Sequence, residues 1–256
     1  MAYIVTPFFW KKVGGLGAVV FVAFCLRFFS WWMEPTISRD GVKYIGFVQS
    51  WRQFSAFDDF FAANPLFNIP PFFIYLTEFI SRNAGVSPEY AALALNIVLG
   101  ALLVLMAFDL LKEAGASAVI CWCAAILTAV HPVLISYSIQ VQRENLYLFF
   151  CSLFGSCAIR ALKRNSPVWW IGAGVFSSGA FLTRYEGGEL FLLGSILPFG
   201  SGWCQRKWQK AMVGISLFFL SSMVCFLMLT WLLQVPLDFY FGPFLSKIFS
   251  FAKRFG

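Results

Sequence analysis

The stretch YAALALNIVLGALLVLMAFDLL, Tyr90–Leu111, holds one charge, Asp109, close to its end. A helix needs roughly 20 apolar residues to cross the hydrocarbon core of a bilayer, and this run supplies them without a break. Six further apolar segments flank it: Val13–Met33, Ser117–Tyr137, Asn145–Leu162, Val168–Leu182, Leu190–Trp203 and Ala211–Leu233. The pattern predicts an all-α polytopic membrane protein with about seven transmembrane helices, the segment Leu190–Trp203 being short for a span.

Composition points the same way. Only 12% of the residues are charged, against about 25% in soluble domains. The net charge of +7 raises nucleic acid as a partner, but no basic stripe stands apart from apolar sequence, so nucleic acid is excluded. Six of the seven cysteines lie inside apolar runs, Cys204 sits in a short basic loop, and no CxxC pair occurs, so they read as small apolar residues. The first apolar segment is long and lacks a small-residue cleavage site, unlike a signal peptide.

The basic clusters Lys11–Lys12, Lys112, Arg160 with Lys163 and Arg164, and Arg206–Lys207 with Lys210 alternate correctly with seven spans. Placed in the cytoplasm, they leave the N-terminus inside and the C-terminus outside, in an inner or plasma membrane. Of twelve acids, only Asp109 and Glu113 then lie near the inner face. Leu66–Ile80 (LFNIPPFFIYLTEFI) would break the alternation if it spanned. It is short, contains Pro70–Pro71 and Glu78, and fits an in-plane helix at the outer interface. Residues 34–89 then form one long first outer loop with two amphipathic helices. The first of these starts near Asp40 and shows Tyr44, Val48 and Trp51 at helical spacing. Residues 234–256, aromatic and basic, are expected to form an interfacial tail of this single module, 1–256.

Three polar clusters fall on the outer side. They are Arg39–Asp40 with Lys43–Tyr44, then Gln140 and Gln142–Asn145, then Thr183–Glu189 (TRYEGGE). Each pairs an acid with an arginine at a membrane edge, where ionisable groups are costly unless they pair or line a polar cavity. An acid can draw the proton from an acceptor hydroxyl or amine. Arginines can hold a phosphate and stabilise charge on a leaving group. Plainer roles compete: Asp40 as a helix cap, Arg143–Glu144 as an interfacial ion pair, Arg184 and Glu186 as caps of a Gly-rich turn. His131–Pro132 reads as a kink with a polar partner, and Asp58–Asp59 as a solvated helix end.

At these residues the chain resembles the membrane-embedded glycosyltransferases of the GT-C class, most closely the protein mannosyltransferase and aminoarabinose transferase group. The resemblance rests on Asp40 and Tyr44 in RDGVKY, on IPPFF at Ile69–Phe73, on SIQVQRE at Ser138–Glu144, and on GAFLTRYEG at Gly179–Gly187. It implies a seven-span catalytic module whose donor is a polyprenyl-phosphate sugar. The acceptor would be a lipid, protein or polysaccharide, and the site would face the periplasm or outside, among membrane lipids. Asp40 would be the catalytic base and Glu144 the second acid; Arg143 and Arg184 would contact the donor phosphate, with Arg39, Tyr44 and Glu186 in support. No cofactor is expected, although the outer acids could bind a divalent metal ion. Two departures stand out. Relatives usually continue into further spans, and the Pro-Pro stretch lacks the usual preceding His or Lys, with Asn68 near that place. A non-catalytic binder of lipid-linked glycan and a small-solute transporter are the competing readings; near-absence of mid-span charge apart from Arg27 weighs against transport.

Overall fold

The computed structural model describes residues 7–240, apart from 36, 55–56, 65–66, 68, 165, 206–207 and 238. Among the described residues every regular element is helical. The elements are α1 (Pro7–Met33), α2 (Arg39–Trp51), α3 (Phe57–Ala63), α4 (Phe72–Ala84), α5 (Pro88–Ala114), α6 (Ala118–Val130), α7 (Pro132–Ile139), α8 (Glu144–Arg164), α9 (Val168–Thr183), a 3-10 turn (Tyr185–Gly188), α10 (Glu189–Gln205) and α11 (Trp208–Leu233).

Local chemistry sets several of these ends. Pro88 stands in the first turn of α5, after the extended backbone of Ser87, and Gly115 closes the helix at φ +94°, a left-handed backbone that glycine adopts without Cβ strain. The helix expected over Leu66–Ile80 begins only after Pro70–Pro71, at Phe72, and runs on to Ala84. A short third helix, α3, was not expected. Glu78 looks misplaced in this apolar run, yet it is buried and paired. Arg82 Nε lies 2.9 Å from it and Arg52 Nε 3.7 Å, which ties α4 to the end of α2.

Among the described residues four helices are long and apolar enough to cross a membrane: α1 from Gly14, α5, α8 and α11. Together, α6 and α7 make a fifth, bent by 47°. Large apolar side chains stand exposed on the outward faces, among them Phe21, Phe29 and Trp32 on α1 and Leu220, Met228 and Trp231 on α11. So much exposed apolar surface needs lipid around it, and the protein is an integral membrane protein. α9 is shorter, and α10 has Pro198 within it.

The helices run between two ends of the bundle. At one end, Arg160 of α8 holds Asp109 of α5 at 2.6 Å and Glu113 at 3.2 Å. Arg164 reaches Glu113 at 3.4 Å, and both guanidinium groups lie over the Trp169 ring. The acids predicted to be the inner-face exceptions are therefore neutralised in one clasp. Between α9 and α11 the packing uses small residues, as expected where lipid offers no hydrophobic driving force. Ser178 donates to the Ser222 carbonyl at 2.8 Å and Ser222 to that of Gly174 at 3.1 Å.

At the other end α2, α3 and α4 lie over the bundle. Tyr44, Ile45 and Val48 form the inward stripe of α2. Tyr44 and Ile45 pack with Phe73, Leu93 and Val141, while Val48 joins Phe60, Phe67, Phe181 and Leu233. Burying each such apolar side chain contributes about 1.5–3 kcal/mol toward holding this layer down. The tail expected over 234–256 falls largely on 238 and 241–256, which lie outside the described residues, as does Asn68.

Candidate functional site

All three polar clusters meet at the end covered by α2–α4. The first enters on α2. Ser38 is its cap, accepting from the Gly41 N–H at 3.0 Å, so Asp40 is not needed for capping. Asp40 stands in the first turn, where a negative charge suits the helix dipole. Its side chain is 63% exposed and lies 3.8 Å from Lys43. Arg39 is exposed as well. Gly41 permits the close approach on which the site depends: a Cβ there would lie 3.0 Å from the Val141 Cβ. The first cluster is thereby pressed against the loop of the second.

That loop, Gln140–Arg143, leads into α8, with Glu144 in the first helical turn. Glu144 does not pair with its neighbour Arg143. Its Oε1 accepts from Arg184 Nη1 at 2.9 Å, while its buried Oε2 has no hydrogen-bond partner. Arg184 follows the end of α9 and also reaches Glu186 at 3.3 Å, with its guanidinium 5.5 Å from the centre of the Tyr147 ring. Arg143 is different. It donates at 3.4 Å to the Thr183 carbonyl, and its buried Nε has no partner. No carboxylate lies in ion-pair range of it among the described residues.

Tyr44 records the convergence. Burial lifts its hydroxyl above the ordinary tyrosine range; Arg143 lowers it, Glu144 and Asp40 raise it, and Arg184 lowers it. Four charged groups from three distant parts of the chain thus act on one buried phenol. Tyr185, in the 3-10 turn, is pushed up to about 12 by burial, with Arg143 opposing. For Arg184, burial works against the charge, but Glu186 and Glu144 outweigh it and the net shift is upward. Gly187 lets the turn fold back on α9, since a Cβ would come within 2.4 Å of the Ala180 and Phe181 backbone.

Among the described residues Arg39 and Asp40 make no hydrogen bond or ion pair to Arg143, Glu144, Arg184 or Glu186; the ion pair of Asp40 is with Lys43 on its own helix. Tyr185 lay within the third cluster without an assigned role, and Tyr147 was missed from sequence; an aromatic near an arginine is a weak signal in a chain with 32 Phe. Among the described residues no three His, Cys, Asp or Glu side chains gather as a metal-binding group. Asp40, Glu78, Glu144 and Glu186 at this end pair with arginines or lysine.

No curated protein and no solved structure matches the chain significantly. A family model does match, and it covers Arg143, Glu144, Arg184 and Glu186 but begins after Asp40 and Tyr44. On that match, over residues 68–231 and so over more than half of its length, the chain belongs to the dolichyl-phosphate-mannose-protein mannosyltransferase family, whose members are GT-C glycosyltransferases.

Proposed function

We propose that the chain moves a sugar from a polyprenyl-phosphate donor to a hydroxyl or amine acceptor at the outer face of the membrane. Seven helices span in this reading: α1, α5, the bent pair α6–α7, α8, α9, α10 and α11. The layer α2–α4 lies in the outer interface, and the N-terminus is cytoplasmic. The observation that carries the proposal is the joining of the second and third clusters by the 2.9 Å Arg184–Glu144 pair and the Arg143–Thr183 bond, with the start of α2 packed against their loop at Gly41 and Val141.

In the transfer, the bond from the anomeric carbon to the phosphate oxygen breaks and a bond to the acceptor oxygen or nitrogen forms. The acceptor proton passes to a carboxylate. Asp40, open to an incoming acceptor, serves as the base. Arg143, a guanidinium without a carboxylate partner, takes the donor phosphate and the charge that develops on it. Arg184 already faces two carboxylates, so its main part is to aim Glu144, whose second oxygen is left for the substrates. A transporter fits less well: the mid-span charge, Arg27, is fully buried and bonded to four protein acceptors.

The test is mannosyl transfer from polyprenyl-phosphate-mannose by purified protein in nanodiscs, comparing wild type, Asp40→Asn and Glu144→Gln. We expect Asp40→Asn to bind donor and to lose turnover at least a hundredfold, within the range of general-base removal. Equal turnover in wild type and Asp40→Asn would remove Asp40 as the base. Donor binding without turnover by wild type would favour a non-catalytic binder.

A further inference from the structure

Arg27 is a charge buried at 0% exposure inside α1, and the transfer just described does not use it. No acid pairs with it among the described residues. Besides the Ala23 carbonyl of its own helix and the Ser138 hydroxyl, its partners are the loose ends of a broken helix. In an unbroken helix the Thr128 carbonyl would accept from the N–H of residue 132. That residue is proline, which has none. The extended backbone of His131 carries Val133 away from the Ala129 carbonyl in the same way. Arg27 fills both vacancies, with Nη2 at 3.1 Å from the Thr128 oxygen and Nη1 at 3.0 Å from that of Ala129. The predicted polar partner of the kink is therefore this arginine. A cation also suits the negative end of the α6 dipole.

The Nε donor points toward the site. Arg27 Nε reaches Ser138 Oγ at 3.1 Å, and Asn145 Nδ2 donates to the same hydroxyl at 2.9 Å. Asn145 also donates to the Asn96 carbonyl, and Asn96 Nδ2 donates to the carbonyls of Gln140 and Gln142 at 2.8 and 2.7 Å. Ser138, Asn145 and Asn96 are all at 0% exposure. The space for this chain is made by Gly100, where a Cβ would sit 2.1 Å from Ser138 Oγ and 2.7 Å from Arg27 Nε. The loop holding Arg143 is thus tied from beneath at two carbonyls, and Glu144 is flanked by the tied Asn145.

From this geometry we infer that Arg27 is a positioning residue for transfer, setting the Arg143–Glu144 segment through Ser138, Asn145 and Asn96. The inference rests on Arg143 and Glu144 belonging to the site. Ser138→Ala cuts the link while leaving Arg27 its three carbonyl bonds. Arg27→Lys keeps the charge but cannot span four acceptors.

The experiment uses the full chain in nanodiscs with polyprenyl-phosphate-mannose, and reads kcat, donor KM and amide hydrogen exchange over residues 140–145. Both variants should lower kcat about ten- to a hundredfold, the penalty of slight misplacement, with KM within about threefold of wild type. Both should also exchange faster over 140–145 and leave α9 and α11 unchanged. Unchanged kcat, a change confined to KM, or loss of folded protein in both variants would overturn the inference. Transfer by wild type at no detectable rate would instead mean that the functional reading has failed. The exchange data then decide the network alone: lost protection over 140–145 upholds it and unchanged protection overturns it.

Discussion

Arg143 and Arg184 each stand beside an acid in sequence, and their surroundings divide them. Arg143 ends the loop before α8 while Glu144 opens the helix itself, and no ion pair joins them among the described residues. Glu144 instead finds Arg184 from another helix. Arg143 is left with one long bond to a carbonyl. Truncating the two should therefore have different kinetic signatures. Arg143→Ala should raise donor KM about ten- to a hundredfold, the loss of one charge-assisted contact. Arg184→Ala should act mainly on kcat, because it frees Glu144 from its 2.9 Å partner. Steady-state kinetics over a donor series check both, and a matching KM effect in the two variants would contradict the division of roles.

At the scale of elements, the seam between α9 and α11 depends on the absence of side chains. A Cβ at Gly174 would meet Ser221 Oγ at 2.1 Å and the Phe218 carbonyl at 2.5 Å. Gly174→Leu should force the helices apart, breaking the Ser178–Ser222 bond and costing about 1–3 kcal/mol of overpacking. The melting temperature in detergent should fall, whereas a leucine at Gly46 of α2, which has open space around it, should leave it unchanged. Equal melting temperatures for the two would show that the seam is looser than its contacts imply.

For the whole molecule, the two ends carry opposite demands. One end clasps Asp109 and Glu113 with Arg160 and Arg164; the other gathers the site. With the cysteines of the chain replaced, a cysteine at Asn83 should react with an impermeant maleimide in intact cells. One at Ser166 should react only after permeabilisation. The reverse pattern would invert the proposed orientation and place the site in the cytoplasm.

The apolar runs by themselves determined that the long segments are helical and that the protein lives in a membrane, because backbone groups in lipid must bond within their own segment. The three polar clusters were also legible, since charge at the edge of an apolar run is rare enough to stand out. A proline marked a break, as at His131–Pro132. What only the tertiary structure decided is the pairing. Ser38 rather than Asp40 caps α2, Arg184 rather than Arg143 holds Glu144, and Arg27 closes a break a hundred residues away in sequence. Such contacts depend on helix rotation and close approach at Gly41 and Gly100, which no local pattern encodes. Element identity is a local property of a chain; the partner of a buried charge is a property of the packed whole.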